Sequence, residues 1–122
     1  MSEQKIKVTI IDDERDTLTL LNNFLSRKKA YEIKTYSSPL SALSYISKDT
    51  DIILLDVMMP QINGIELLPK LKKKYPNAKV IIMTASSTLR IVLDAQRHGA
   101  IDYIMKPFES LEIITNKIDE IL

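Results

Sequence analysis

The chain has 122 residues, 45% hydrophobic and 27% charged, which suits one compact domain over 1–122 and excludes a disordered, collagenous or coiled-coil chain. Its net charge is +1, from 17 basic and 16 acidic side chains, with one dense basic run at Lys72-Lys73-Lys74, so direct nucleic-acid binding by this domain is not expected. It has no Cys, no signal-peptide core at its start and no run near the ~20 apolar residues of a membrane helix, which predicts a cytoplasmic protein without disulfides or membrane contact.

Residues 7–11 are rich in β-branched side chains and predict a first strand. Leu18, Leu21, Phe24 and Leu25 then share one face of a helix, and Asp13 or Glu14 is placed to cap it. Residues 31–36 alternate and carry Glu32 and Lys34, the pattern of an edge strand. Pro39 opens a second helix with Leu40, Leu43 and Ile46 on its apolar face. Residues 52–55 are apolar on both sides, so this strand belongs inside the sheet. Leu68, Leu71 and Tyr75 mark a third helix that stops before Pro76. Its closing lysines suit the negative end of the helix dipole and read as a solvated face.

Residues 80–83 repeat the interior-strand pattern. Leu89, Val92 and Ala95 mark a fourth helix, closed by Arg97, His98 and Gly99. His98 is the sole histidine, and its place in that closing turn gives it a structural role rather than that of a phosphodonor. Residues 103–105 form a fifth strand. Leu111, Ile114, Ile118 and Ile121 mark a fifth helix, with Ser110 as its cap. Strict alternation of strands and helices predicts a doubly wound α/β fold. It has a five-stranded parallel sheet in the order 2-1-3-4-5 with helices on both faces, as in flavodoxin-like folds.

Such sheets bind ligands at the carboxyl ends of their strands, where the strand order reverses. The first strand leads into Asp12-Asp13, the third into Asp56, the fourth into Thr84 and the fifth into Lys106. Clustered carboxylates repel one another unless a cation offsets them. Hard oxygen donors with no Cys or nearby His favour Mg²⁺ over zinc. Asp56 follows four apolar residues and must be paired, at a mouth, or functional. As a nucleophile it could form an aspartyl phosphate. Lys106 offers a compact cation for a phosphate or carboxylate oxygen, and the Lys106–Pro107 step admits a cis bond. Thr84 offers a hydroxyl, though a β-branched strand residue needs no such role. Met58, Met59, Met83 and Met105 read as core filler rather than ligands.

The stretches Ile10-Ile11-Asp12-Asp13-Glu14, Leu54-Leu55-Asp56-Val57-Met58-Met59-Pro60 with Gly64, Ile82-Met83-Thr84-Ala85, and Asp102-Tyr103-Ile104-Met105-Lys106-Pro107-Phe108 together resemble the receiver domains of bacterial two-component response regulators, the CheY-like family. The resemblance covers nearly the whole chain. It implies a signalling switch in which Asp56 accepts a phosphoryl group from a histidine of a sensor kinase or phosphotransfer protein. It implies Mg²⁺ held by Asp13, Asp56 and the backbone carbonyl of Met58, with Asp12 assisting through a water. Thr84 and Lys106 would contact the phosphoryl group, Tyr103 would be the switching aromatic, and the Lys106–Pro107 bond would be cis. Phosphorylation would remodel the face made by the fourth helix, fifth strand and fifth helix.

The resemblance also admits a homodimer on phosphorylation and an effector domain in a longer parent chain. It implies no enzyme beyond slow hydrolysis of the domain's own phosphoryl group. Apolar Met58 and small Ser86 offer little to hold an attacking water, which predicts a moderate to long phosphoryl lifetime. Two rival readings are a Mg²⁺-dependent phosphatase working through an aspartyl phosphate and a receiver-like interaction module that is never phosphorylated. The phosphatase would be expected to carry a second acid where Met58 stands. The interaction module would be expected to lack part of the acidic site.

Overall fold

The structure, a computed structural model, describes residues 5–28, 30–85 and 89–122. The strands are β1 (Ile6–Ile11), β2 (Tyr31–Tyr36), β3 (Ile52–Asp56), β4 (Lys79–Thr84) and β5 (Ala100–Met105). The helices between and after them are α1 (Arg15–Ser26), α2 (Pro39–Tyr45), α3 (Gly64–Lys74), α4 (Leu89–Arg97) and α5 (Glu112–Ile121). The strands form one sheet in the order β2-β1-β3-β4-β5, every pair parallel. This is the predicted doubly wound α/β fold, with β2 at an edge and β3 and β4 inside.

The period-two alternation of the strands divides the core into two layers. Ile53, Leu55, Val80 and Ile82 pack with Leu67, Leu68 and Leu71 of α3, Ala42 of α2 and Ala95 of α4. Ile52, Leu54, Ile81 and Met83 pack on the other side with Leu21 and Leu25 of α1 and Ile114 and Ile118 of α5. β3 is buried at every position, which is why its sequence shows no alternation. The buried hydroxyls of Thr9 and Thr50 pair at 2.9 Å and so satisfy each other inside the sheet's lower half.

Several local readings are corrected. Leu40 is 60% exposed. α2 instead buries Pro39 and Ala42, followed by Ile46 at its C-cap, with Leu43 packed against them. Leu40 lies one residue, about 100°, off that stripe. α4 is shifted in the same way: Leu89 is 72% exposed, while Ala95 is buried and Ile91 packs on the core. The lysine run is not simply a solvated face. Lys72 Nζ donates to the carbonyls of Ala78 at 2.7 Å and Pro76 at 3.3 Å, and Lys74 Nζ donates to the Leu43 carbonyl at 2.8 Å. These bonds tie the end of α3 to the next turn and to α2. Glu14 occupies the N-cap of α1 but its side chain makes no capping bond. Ser110 Oγ does accept from the Glu112 backbone N–H at 3.2 Å, from one residue before the N-cap position, Leu111. β5 begins three residues earlier than its apolar run suggests, because Gly99 (φ 109) turns α4 directly into Ala100.

Candidate functional site

The ladder registers carry the strand-end residues to one place. Ile11 pairs with Leu55, Asp56 with Met83, and Thr84 with Met105. Backbone bonding continues just past the strands: Asp12 N donates to Tyr36 O at 3.1 Å, Val57 N to Met83 O at 3.1 Å, and Lys106 N to Thr84 O at 2.8 Å. The residues that follow β1, β3 and β5 are therefore held by neighbouring strands rather than left in free loops. The chain after Asp56 is drawn back by Gly64, whose N–H donates to Val57 O at 2.9 Å. A Cβ at position 64 would lie 2.4 Å from the Asp56 carbonyl oxygen and 2.7 Å from Val57 Cα. Only glycine permits that approach, and it closes the loop carrying Met58 against the end of β3.

Asp12 and Asp56 are buried and Asp13 half-buried, and a carboxylate oxygen from each lies within 4.8 Å of the others. Lys106 Nζ reaches into this group, 2.6 Å from Asp12 Oδ2, 3.6 Å from Asp56 Oδ1 and 3.5 Å from Glu14 Oε1. Backbone donors complete part of the shell. Glu14 N–H donates to Asp12 Oδ1 at 2.9 Å and Met58 N–H to Asp56 Oδ1 at 3.3 Å. Asp56 Oδ2 is buried and has no hydrogen-bond partner among the described residues.

The electrostatics follow from that shell. Burial, and then the negative field of Asp12, push the Asp56 carboxyl up to about 7 against the opposing Lys106 charge and Met58 N–H. Burial works against the charge on Lys106, but its hydrogen bond to Asp12 and the fields of Asp12, Asp56 and Glu14 hold its pKa above the ordinary lysine value. A second cation would relieve both the repulsion among the carboxylates and the unpartnered Oδ2. The Asp12–Asp13–Asp56 cluster thus has the donor set and the charge to hold a metal ion.

The other predicted residues sit around this centre. Thr84 is buried at the end of β4. Tyr103 pairs in register with Ile82, so its side chain leaves the sheet on the same side as that of Thr84, and it is partly exposed. The Met58 side chain is exposed, and the Lys106–Pro107 bond is cis. Ser86 lies outside the described residues. Of the four methionines read as core filler, Met59 and Met83 are buried, whereas Met58 and Met105 are exposed. His98 Nδ1 lies 2.7 Å from the Asp94 carbonyl in the closing turn of α4, away from the carboxylates.

Sequence reasoning missed Glu14 as a partner of Lys106. It directly follows the acidic pair, but spacing gives no direction to an exposed side chain at a helix start. It also missed a groove of about 480 Å³ beside the site, lined by Glu14, Thr17, Leu20, Lys106, Phe108 and Leu111 among others. Among the described residues, no helix is long and apolar enough to cross a membrane.

Residues 8–118 match the family described as the response regulator receiver domain. The chain is 35% identical over 109 residues to the DNA-binding transcriptional regulator NtrC of Bradyrhizobium sp. (strain RP501 Parasponia), covering 88% of this chain and 22% of that protein. It is 32% identical over 105 residues to the response regulator SaeR of Staphylococcus aureus (strain USA300), covering 86% of this chain and 46% of the other. The chain therefore spans less than half the length of either relative. Among solved structures, a two-component response regulator from Clostridium difficile superposes with a TM-score of 0.88 at 28% identity, over 96% of this chain and 95% of that one. With its parallel 2-1-3-4-5 sheet and an acidic cluster at the strand ends, the chain belongs to the response regulator receiver domain family.

Proposed function

We propose that residues 1–122 act as one phosphoacceptor switch, with Asp56 as the acceptor, in a cytoplasmic two-component pathway. The observation that carries this reading is the Asp56 carboxylate. One oxygen is engaged by the Met58 N–H and faces Lys106, while the other is buried without a partner among the described residues. A carboxylate so placed is an oxygen nucleophile with its charge only part-compensated.

In the transfer, an Asp56 oxygen would attack the phosphorus of a phosphohistidine on a sensor kinase or phosphotransfer protein. An O–P bond forms, the N–P bond breaks, and the imidazole leaves with the electron pair and takes up a proton. Asp13, Asp56 and the Met58 carbonyl would hold Mg²⁺, with Asp12 assisting. When bound, that ion supplies positive charge against the phosphoryl oxygens. Lys106 would turn from Asp12 toward the new phosphoryl oxygens, and the Thr84 hydroxyl would donate to another. Tyr103, on the same side of the sheet, would then change its packing and alter the α4–β5–α5 face for a partner, an attached effector or a second copy.

No separate substrate is turned over. The phosphatase reading lacks its second acid, since an exposed methionine stands two residues after Asp56. Incubation with a small-molecule phosphodonor and Mg²⁺, read by intact mass, tests the assignment. One added phosphoryl group is expected on the parent and none on Asp56→Asn. Equal labelling of the two proteins would overturn it.

A further inference from the structure

Lys106 has a carboxylate partner that the phosphoacceptor reading does not use. Glu14 Oε1 lies 3.5 Å from Lys106 Nζ, on the solvent side of the site. The other two carboxylates on that ammonium are enclosed: Asp12 and Asp56 are buried, and Asp12 is held by the Glu14 N–H. The Glu14 side chain is 65% exposed and makes no capping bond to α1, so it is the partner free to move. It also lines the groove beside the site. Any group travelling from that groove to Asp56 passes a negative charge whose counter-charge is the lysine it must recruit.

We infer that Glu14 is a positioning residue, an outer anionic tether that competes for Lys106 and disfavours small anionic phosphodonors. The inference rests on Asp56 being the acceptor. Two effects act in the same direction. Lys106 must loosen from Glu14 to meet incoming phosphoryl oxygens, and an approaching anion is repelled by the exposed carboxylate. Both are Coulombic and involve the solvent-exposed Glu14 carboxylate, so both weaken as salt screens it. A purely structural role for Glu14 would show no such salt dependence.

The test measures phosphorylation rates in Mg²⁺ with dianionic acetyl phosphate and with the less highly charged phosphoramidate, at low and high ionic strength. Glu14→Gln is expected to react with acetyl phosphate about two- to fivefold faster than the parent at low salt, the range of an exposed charge pair. The gain should shrink at high salt and be smaller with phosphoramidate, while Glu14→Asp stays near the parent. Equal or slower reaction of Glu14→Gln at low salt overturns the tether, as does a gain that ignores salt and donor charge. If the parent itself takes no phosphoryl group, or Asp56→Asn takes it equally, the phosphoacceptor assignment falls first and the tether with it.

Discussion

Lys106 lies 2.6 Å from Asp12 but 3.6 Å from Asp56, so in this state the ammonium belongs to the buried acid of β1's end rather than to the carboxylate assigned the chemistry. Asp12 is fully buried and the lysine side chain largely so. Removing the lysine would leave Asp12 without its counter-charge, and unpaired buried charges are costly. Lys106→Met is therefore expected to lower stability by about 1–3 kcal/mol in chelator. Added Mg²⁺ should restore much of it, because a second cation can take over the neutralisation. Chemical denaturation with and without Mg²⁺ measures this, and an equal loss in both conditions would count against a cation at the cluster.

Gly64 offers a steric counterpart. A Cβ there would press on the Asp56 carbonyl oxygen at 2.4 Å and on Val57 Cα at 2.7 Å, and both obstacles are backbone. Gly64→Ala should cost about 1–3 kcal/mol, the range of overpacked sites, and toward its upper end because the surroundings cannot give way. It should also displace the Met58 N–H from Asp56. Loss of phosphorylation in a variant that is still folded by circular dichroism would separate the second effect from the first.

The raised Asp56 pKa makes metal-free stability depend on pH in a fixed direction. Its folded-state value of about 7 lies above the ordinary carboxyl value of 3.8, so the folded state binds the proton more tightly than the unfolded one. The stabilising contribution is complete below the ordinary value and is lost as pH rises toward and through about 7. In chelator, the melting temperature of the parent should therefore fall between pH 5 and pH 8 relative to Asp56→Asn. Mg²⁺ should raise the parent's melting temperature more at pH 8 than at pH 6, since it competes with the proton for the same oxygens. Parallel pH profiles for parent and Asp56→Asn would show that the carboxyl is not perturbed.

The lysine run at the end of α3 should divide by residue. Lys72 Nζ donates to the carbonyls of Pro76 and Ala78 while its stem packs beside Gly99. Lys73 is exposed. Lys72→Met should cost about 1.5–3 kcal/mol, the worth of charge-assisted bonds at a partly buried site. Lys73→Met should stay within about 0.5 kcal/mol of the parent, as surface substitutions do. Urea midpoints of the two variants give the comparison directly.

The fold was legible because the strands announce themselves in two ways. Ile52 to Leu55 and Val80 to Met83 are apolar on both sides, and Tyr31 to Tyr36 is not, so composition places two strands inside and one at an edge, and the doubly wound order 2-1-3-4-5 satisfies both. The site was legible for a related reason: in a parallel sheet every strand ends at the same edge, so Asp12, Asp56, Thr84 and Lys106 could be gathered without coordinates. The helix phases of α2 and α4 were harder. Each carries apolar residues on more than one stripe: in α2 large Leu40 was chosen over small Ala42, and in α4 Leu89 was chosen over the equally large Ile91 of a neighbouring stripe. Small Ala42 and Ala95 are both buried in the core layer on that side of the sheet. The contact of Glu14 with Lys106 and the close approach of Gly64 to Asp56 escaped because both depend on direction and distance in the folded chain.

The Lys106 N–H to Thr84 carbonyl bond, 2.8 Å long, joins the backbones of the two residues proposed to meet the phosphoryl group. A shift of either side chain that draws its backbone along must lengthen or tilt this bond. The Lys106 amide proton is thus a built-in gauge between the ends of β4 and β5. Its chemical shift and exchange rate register the state of the acidic site without any label placed in the site itself.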